Sequence, residues 1–294
     1  MNKYVLITDT TADLPNDVLK DLGVVSIPME FILDDKTYNH YSDCRELSLD
    51  KFYQALKEGK KSKTSQINFF TYDRIFRPYL EQGYDILYIC FTSGLSGTYS
   101  ASLLAIEELK QEFPDRRIVS VDSLCASIGE GLLVHNAGVL YHNQASFDDV
   151  LNYILEYRLK VCHWFVVDDL ETLRQGGRIT ALQAAFGGML NIKPLLSVND
   201  EGKLVPVAKL RGKKRILQTF IDVLLRDSNE HSNQTVVVGH ANNLEVALGI
   251  KEELLRQNLV KDVIITDIGP VIGTHVGPGM VALTFVGTRN LQKI

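Results

Sequence analysis

Short apolar runs alternate with stretches that repeat at helical spacing through the first half of the chain. Tyr4–Asp9 is a compact apolar run, and Asp13 and Pro15 stand where a capped first turn of a helix is expected. Val24–Leu33 predicts a second strand, and Leu49–Lys57 and Phe69–Glu81 predict amphipathic helices. Asp85–Phe91 predicts a buried strand, followed by a long helix from about Ser96 to Glu112. A strand over Arg117–Asp122 and a helix over Ser127–His142 close the series. Strands that are apolar on both faces and alternate with helices predict a parallel sheet covered on both sides.

The pattern changes beyond residue 160. His163–Val167 predicts a strand, and Leu195–Val198 with Lys203–Leu210 predicts an antiparallel hairpin around Asn199-Asp200-Glu201-Gly202. A helix over Lys213–Leu225, a strand over Thr235–Gly239 and a helix over Leu244–Gln257 follow. Strands over Val263–Asp267 and Val281–Val286 end the set. The expected fold is therefore α/β in two domains that share a cleft. Residues 1–160 form a parallel-sheet α/β domain and residues 161–294 a mixed-sheet α+β domain, with the boundary within Ser146–Val161.

Composition changes this picture little. At 294 residues the chain exceeds the usual size of one domain, and 45% hydrophobic with 23% charged residues suits a globular protein. A net charge of -5 offers no general attraction to nucleic acid or an anionic membrane. Cys44, Cys90, Cys125 and Cys162 are scattered, without the spacing of a zinc knuckle or a redox dithiol. No run approaches the roughly 20 apolar residues of a spanning helix, and the first residues lead straight into a strand. A cytoplasmic protein is the expectation.

Most catalytic signatures fail. Gly129-Glu130-Gly131 lacks the third glycine of a dinucleotide loop and reads better as glycines that ease helix packing. There is no nucleotide-binding P-loop and no His-Glu-x-x-His, and the histidines do not cluster as metal ligands, so neither metal nor cofactor is expected. Thr92-Ser93-Gly94-Leu95-Ser96-Gly97-Thr98 stands out, lying where a buried strand ends and a helix begins. Open α/β sheets bind ligands there, and helix N–H groups with Ser93 and Ser96 hydroxyls suit a carboxylate or phosphate. Its plainer reading is that one serine caps the helix. Lys63-Thr64-Ser65-Gln66 reads by itself as a loop and cap. Gly273–Gly279 sets His275 among three glycines and a proline, a loop that brings backbone close to something. Arg174 and Arg178, and the run Arg211–Arg215 at a helix start, read either as solvated charge or as contacts to an anionic partner.

Taken in order, these segments resemble the DegV family, which includes the FakB fatty-acid-binding subunits. The resemblance rests on Thr8-Asp9-Thr10-Thr11-Ala12-Asp13-Leu14, Thr64-Ser65-Gln66, Thr92–Thr98, Val121-Asp122-Ser123, Leu173–Ile179 and His275–Gly279. It implies a long-chain fatty acid enclosed between two domains, its carboxylate held by Thr64, Ser93 and His275, with Ser65, Gly94 and Ser96 beside it. Arg178 and Arg211 are similar to arginines that serve phosphorylation of the bound lipid. In that system a separate ATP-dependent fatty acid kinase subunit makes the acyl phosphate for phospholipid synthesis; transient membrane contact is a further expectation for this chain. The family often has proline after Thr-Ser-Gln, whereas Ile67-Asn68 stands here. Two other readings stay open: a serine hydrolase with Ser93 or Ser96 as nucleophile, His275 as base and Asp267 as orienter, and a regulatory protein that docks a partner through Arg211–Arg215.

Overall fold

The computed structural model describes residues 3–168, 170–180 and 192–291. The first sheet is parallel, in the order β2-β1-β6-β7, from β1 (Tyr4–Asp9), β2 (Val25–Ile27), β6 (Asp85–Cys90) and β7 (Ile118–Asp122). β1 is buried at every position, as a central strand covered on both faces must be. The helices of this half are α1 (Asn16–Leu22), α2 (Leu49–Lys57), α3 (Phe69–Glu81), α4 (Thr98–Glu112), α5 (Ile128–His142) and α6 (Phe147–Tyr157).

The second sheet is mixed and six-stranded, in the order β10-β9-β8-β13-β11-β12. Its strands are β8 (Val161–Val166), β9 (Lys193–Val198), β10 (Leu204–Leu210), β11 (Thr235–His240), β12 (Asp262–Asp267) and β13 (Val281–Val286). Only the β11–β12 pair is parallel; β9 and β10 form the expected hairpin, with Leu204 opposite Val198. α7 (Glu171–Gln175), α8 (Lys213–Asp227), α9 (Leu244–Arg256) and α10 (Pro270–Val276) are the described α-helices of this half. The two-domain α/β architecture read from the sequence is the one observed.

Residues of β8 alternate between two cores: Val161 and Phe165 join one, Cys162, Trp164 and Val166 the other. The first core is continuous with the N-terminal domain, so the domains share one apolar interior. α5 makes the connection. It packs on β1 and β6 from one side and on β8, β11 and β13 from the other. Gly129 and Gly131 permit this closeness: a β-carbon would stand 1.9 Å from His163 Nε2 at Gly129 and 2.4 Å from the Ala12 carbonyl at Gly131. Close packing is thus what that glycine pair does.

Three local expectations change. The strand read over Val24–Leu33 is two strands in different sheets, because Pro28 cannot donate a ladder hydrogen bond and the chain turns there. Its second part, β3 (Met29–Leu33), sits between β4 (Lys36–His40) and β5 (Ser62–Thr64) in a small antiparallel sheet. The segment read as a loop and cap at Lys63–Gln66 therefore begins as strand, with Thr64 opposite Phe31. Asn68 caps α3 in its place, its side-chain oxygen accepting from Thr71 N–H at 3.0 Å. Asp13 does not cap α1, whose N-cap position is Pro15. Its carboxylate instead accepts from Gly269 N–H at 2.9 Å and Ser127 Oγ at 2.6 Å, while its carbonyl accepts from Thr266 Oγ1 at 2.6 Å. Asp13 pins the first domain to the turn that starts α10.

Candidate functional site

A cavity of about 280 Å³ lies between the two sheets. β5, the turn after β6 and the start of α5 line one side; β8, β13, α10 and the turn after α7 line the other. Most of its wall is apolar, including Phe91, Ile128, Phe165, Ile272 and Met280. Polar lining includes Thr64 bonded to His275, Arg178 near that ring, Ser65 and Gln66 following Thr64 in the chain, and Ser96 next to Gly97, against which Gln66 packs.

Thr64 and His275 are joined directly, Oγ1 to Nε2, at 2.9 Å. One step along, Ser62 and Thr274 repeat the pairing at 2.7 Å, so β5 and α10 are fastened by two side-chain bonds. Burial, then the nearby Arg178 charge, pushes the His275 pKa down to about 4, so the ring is neutral at pH 7. Its Nδ1 is buried and has no hydrogen-bond partner among the described residues. Arg178, half-buried, donates from Nη1 to the Gly176 carbonyl at 2.5 Å, and burial lowers its pKa. An anion placed here would meet one cation and two neutral polar side chains.

The Thr92–Thr98 turn divides between capping and cavity wall. Ser96 Oγ accepts at 3.2 Å from the N–H of Thr98, the first residue of α4, whose N-cap position is Gly97, and Ser96 also lines the cavity. Ser93 is exposed and outside the cavity wall; its N–H donates to Asp122 Oδ1 at 3.1 Å. Gly94, also outside the wall, is pressed on the Glu201 and Gly202 carbonyls, where a β-carbon would come within 2.6 Å. Arg211 is exposed on the loop before α8 and is not among the cavity-lining residues. The hydrolase trio is not assembled. Asp267 pairs with His240 at 3.4 Å, and His275 bonds Thr64 rather than a serine.

Four polar cavity residues were not assigned to the site from the sequence: Thr11, Ser127, His163 and Thr284. Each hydroxyl donates within the protein, Ser127 to Asp13 and Thr284 to the Ile128 carbonyl at 3.2 Å. His163 donates from Nδ1 to the Val161 carbonyl at 3.1 Å and accepts at Nε2 from Ala126 N–H at 3.3 Å. Burial, then Arg289, holds its pKa well below the usual histidine value, and both nitrogens are satisfied. Thr11 and Ser127 carried a faint signal, beside the acidic N-terminal segment and at a strand-to-helix turn. His163 and Thr284 carried none, hidden inside apolar strands.

Behind Thr11 lies a fully buried pair of carboxyls. Asp9 accepts from Tyr88 Oη at 2.9 Å, Phe91 N–H at 3.2 Å and the Thr11 hydroxyl. Thr11 Oγ1 is also 3.2 Å from Glu130 Oε2, yet its single proton serves only one acceptor. A protonated Glu130 resolves this by donating to Thr11. Burial, then repulsion by Asp9, pushes the Glu130 pKa well above the usual carboxyl range, in agreement. The wall here is a closed hydrogen-bond network that leaves a ligand little to bind except apolar surface.

Among the described residues no group of His, Cys, Asp and Glu is arranged to hold a metal ion. No described helix is long and apolar enough to cross a membrane.

A family model described as uncharacterised protein of the DegV family matches residues 3–288. The chain belongs to the DegV family. A DegV domain-containing protein of Clostridium perfringens is 40% identical over 287 residues, 98% of each chain. Among solved structures, a Thermus thermophilus DegV family protein described for its fatty acid binding is 30% identical with a TM-score of 0.84, covering 97% of this chain and 99% of its own. DegV of Bacillus subtilis, described as a fatty acid binding protein, is 27% identical with a TM-score of 0.84, covering 98% and 100%.

Proposed function

We propose that this DegV protein is a carrier that encloses a long-chain fatty acid and presents its carboxylate to a separate kinase subunit. The carrying observation is the cavity itself: mostly apolar in its wall, with the bonded Thr64–His275 pair and Arg178 in its lining, and placed between the two domains. DegV relatives of the same fold that bind fatty acids support this ligand. The carboxylate is placed against Thr64, His275 and Arg178, with Ser65 and Ser96 at the rim.

The tail supplies the affinity. Burying a methylene contributes about 0.8 kcal/mol, so some fifteen give an upper bound near 12 kcal/mol, reduced by association and ordering costs. Charge-assisted bonds of roughly 1.5–3 kcal/mol each mainly offset desolvation of the head group. The head therefore sets orientation, and cavity shape sets the chain accepted.

The chain is proposed to need an ATP-dependent kinase subunit, which converts the bound acid to acyl phosphate for phospholipid synthesis. Exposed Ser93, its half-buried neighbour Gly94 and exposed Arg211 are assigned to that encounter. Working in the cytoplasm, the carrier would exchange lipid through transient membrane contact.

The deciding experiment is native mass spectrometry of the purified protein followed by lipid extraction. One fatty acid per chain, or stoichiometric uptake of added oleate or palmitate, is the expected result. A protein that co-purifies empty and takes up neither acid would end the carrier reading. For the transfer step, Ser93→Ala is expected to leave fatty acid affinity nearly unchanged and to slow acyl phosphate formation by a kinase subunit. Equal loss of both would remove Ser93 from that role.

A further inference from the structure

His275 is fastened at one ring nitrogen and confined at the other. Nε2 bonds Thr64, while Nδ1 lies so close to Gly176 that a β-carbon there would come within 2.5 Å of it. Gly176 has φ -70 and ψ -10, a conformation open to any residue, and its N–H is fixed to the Thr172 carbonyl at 3.0 Å. Space, not backbone freedom, is what the glycine supplies. Its neighbour Gly177 is the reverse case, with φ 73 and no atom within 4 Å of the place a β-carbon would take.

This confinement selects a tautomer. A neutral imidazole carries one N–H. With the proton on Nδ1, a buried donor would face the Gly176 backbone without an acceptor, and Nε2 would consume the single hydroxyl proton of Thr64. With the proton on Nε2, the ring donates to Thr64 Oγ1 and the Thr64 proton is free to point into the cavity. The atom left unpaired is then an acceptor nitrogen, a commoner defect in folded proteins than an orphaned N–H.

We infer that Gly176 is a positioning residue of the head-group site: it seats His275 as the Nε2–H tautomer, so that Thr64 donates to a ligand carboxylate. The assignment of the carboxylate rests on the carrier reading; the tautomer does not. His163 provides an internal contrast. It too lies on a glycine, Gly129, but its Nδ1 faces a carbonyl and its Nε2 an N–H, which fixes the Nδ1–H form.

Long-range proton–nitrogen NMR of the ligand-free, histidine-labelled protein reads both rings, with His275→Gln and His163→Gln giving the assignments. The expected spectrum shows His275 protonated at Nε2 and His163 at Nδ1; a His275 ring protonated at Nδ1 overturns the proposal. In Gly176→Ala the His275 pattern should change, and fatty acid affinity should fall about tenfold, the scale of one lost hydrogen bond. The same substitution in a His275→Ala background should change affinity less than about twofold. Equal loss in both backgrounds would make Gly176 merely structural. Thr64→Ser should retain affinity and Thr64→Val lose it, which keeps the test decisive should Gly176→Ala fail to fold. A protein that binds no fatty acid ends the carrier reading, and the ligand-free spectrum then decides the tautomer alone.

Discussion

Buried titratable groups give this protein its residue-scale pH behaviour. His275 has a folded pKa lowered from 6.5 to about 4, and burial takes His40 from 6.5 to about 3. A depressed folded pKa means that the unfolded chain takes up protons first, so these contributions hold above about pH 6.5 and are lost as pH falls. Asp13 acts in the other direction: burial raises its pKa from 3.8 to about 8, so its contribution is full below 3.8 and is lost as pH rises through 8. Urea unfolding measured from about pH 4 to pH 9 should therefore trace a dome. His275→Gln should flatten the acid limb and Asp13→Asn the alkaline limb. An alkaline limb unchanged by Asp13→Asn would show that this carboxyl does not titrate there.

At the scale of elements, α5 and α10 set the site. α5 lies between the sheets, and Gly129 lets it rest on the His163 ring; Gly129→Ala should destabilise by at least about 1–3 kcal/mol through overpacking, read as a lower urea midpoint. Asp13 joins the N-terminal end of α10, which carries His275, to the β1–α1 connection. Asp13→Ala strands the Gly269 N–H and the Ser127 hydroxyl; a loss of about 2–4 kcal/mol is expected, with faster amide exchange across α10. Unchanged exchange there would mean that the helix is held by its packing on α2, where Tyr53 Oη donates to the Ile268 carbonyl at 2.7 Å.

At the scale of the whole molecule, a ligand between two domains binds the folded state alone and so stabilises it. At a free fatty acid concentration one hundred times Kd, linkage gives about 2.7 kcal/mol. Saturating oleate or palmitate should raise Tm, and the matching methyl ester, which lacks the charged head, should raise it less. Equal shifts would indicate that Thr64, His275 and Arg178 contribute nothing to recognition. The shared core behind the cavity implies that the domains unfold together, checked by coincident fluorescence and circular dichroism transitions.

The parallel sheet, the β9–β10 hairpin and most helices were legible in the amino-acid order alone, because continuous apolar runs and the Asn199–Gly202 turn signal are local properties of the chain. Thr64, Arg178 and His275 entered the candidate site through the family resemblance of their segments, since Lys63–Gln66 by itself reads as a loop and cap; the fold then brings Thr64 within 2.9 Å of His275. The small sheet of β3, β4 and β5 was not legible: Ser62-Lys63-Thr64 is short and polar, and becomes a strand only because β3 offers it a partner. His163 and Thr284 looked like any strand residues until the strands faced α5. That Ser96 bonds the first N–H of α4, that Ser93 is exposed outside the cavity lining and that Asp13 fastens the second domain are visible only in the folded chain. A hydroxyl or carboxylate has the same local signature in each of those roles, and what it does is set by the atoms that long-range packing brings within hydrogen-bond distance.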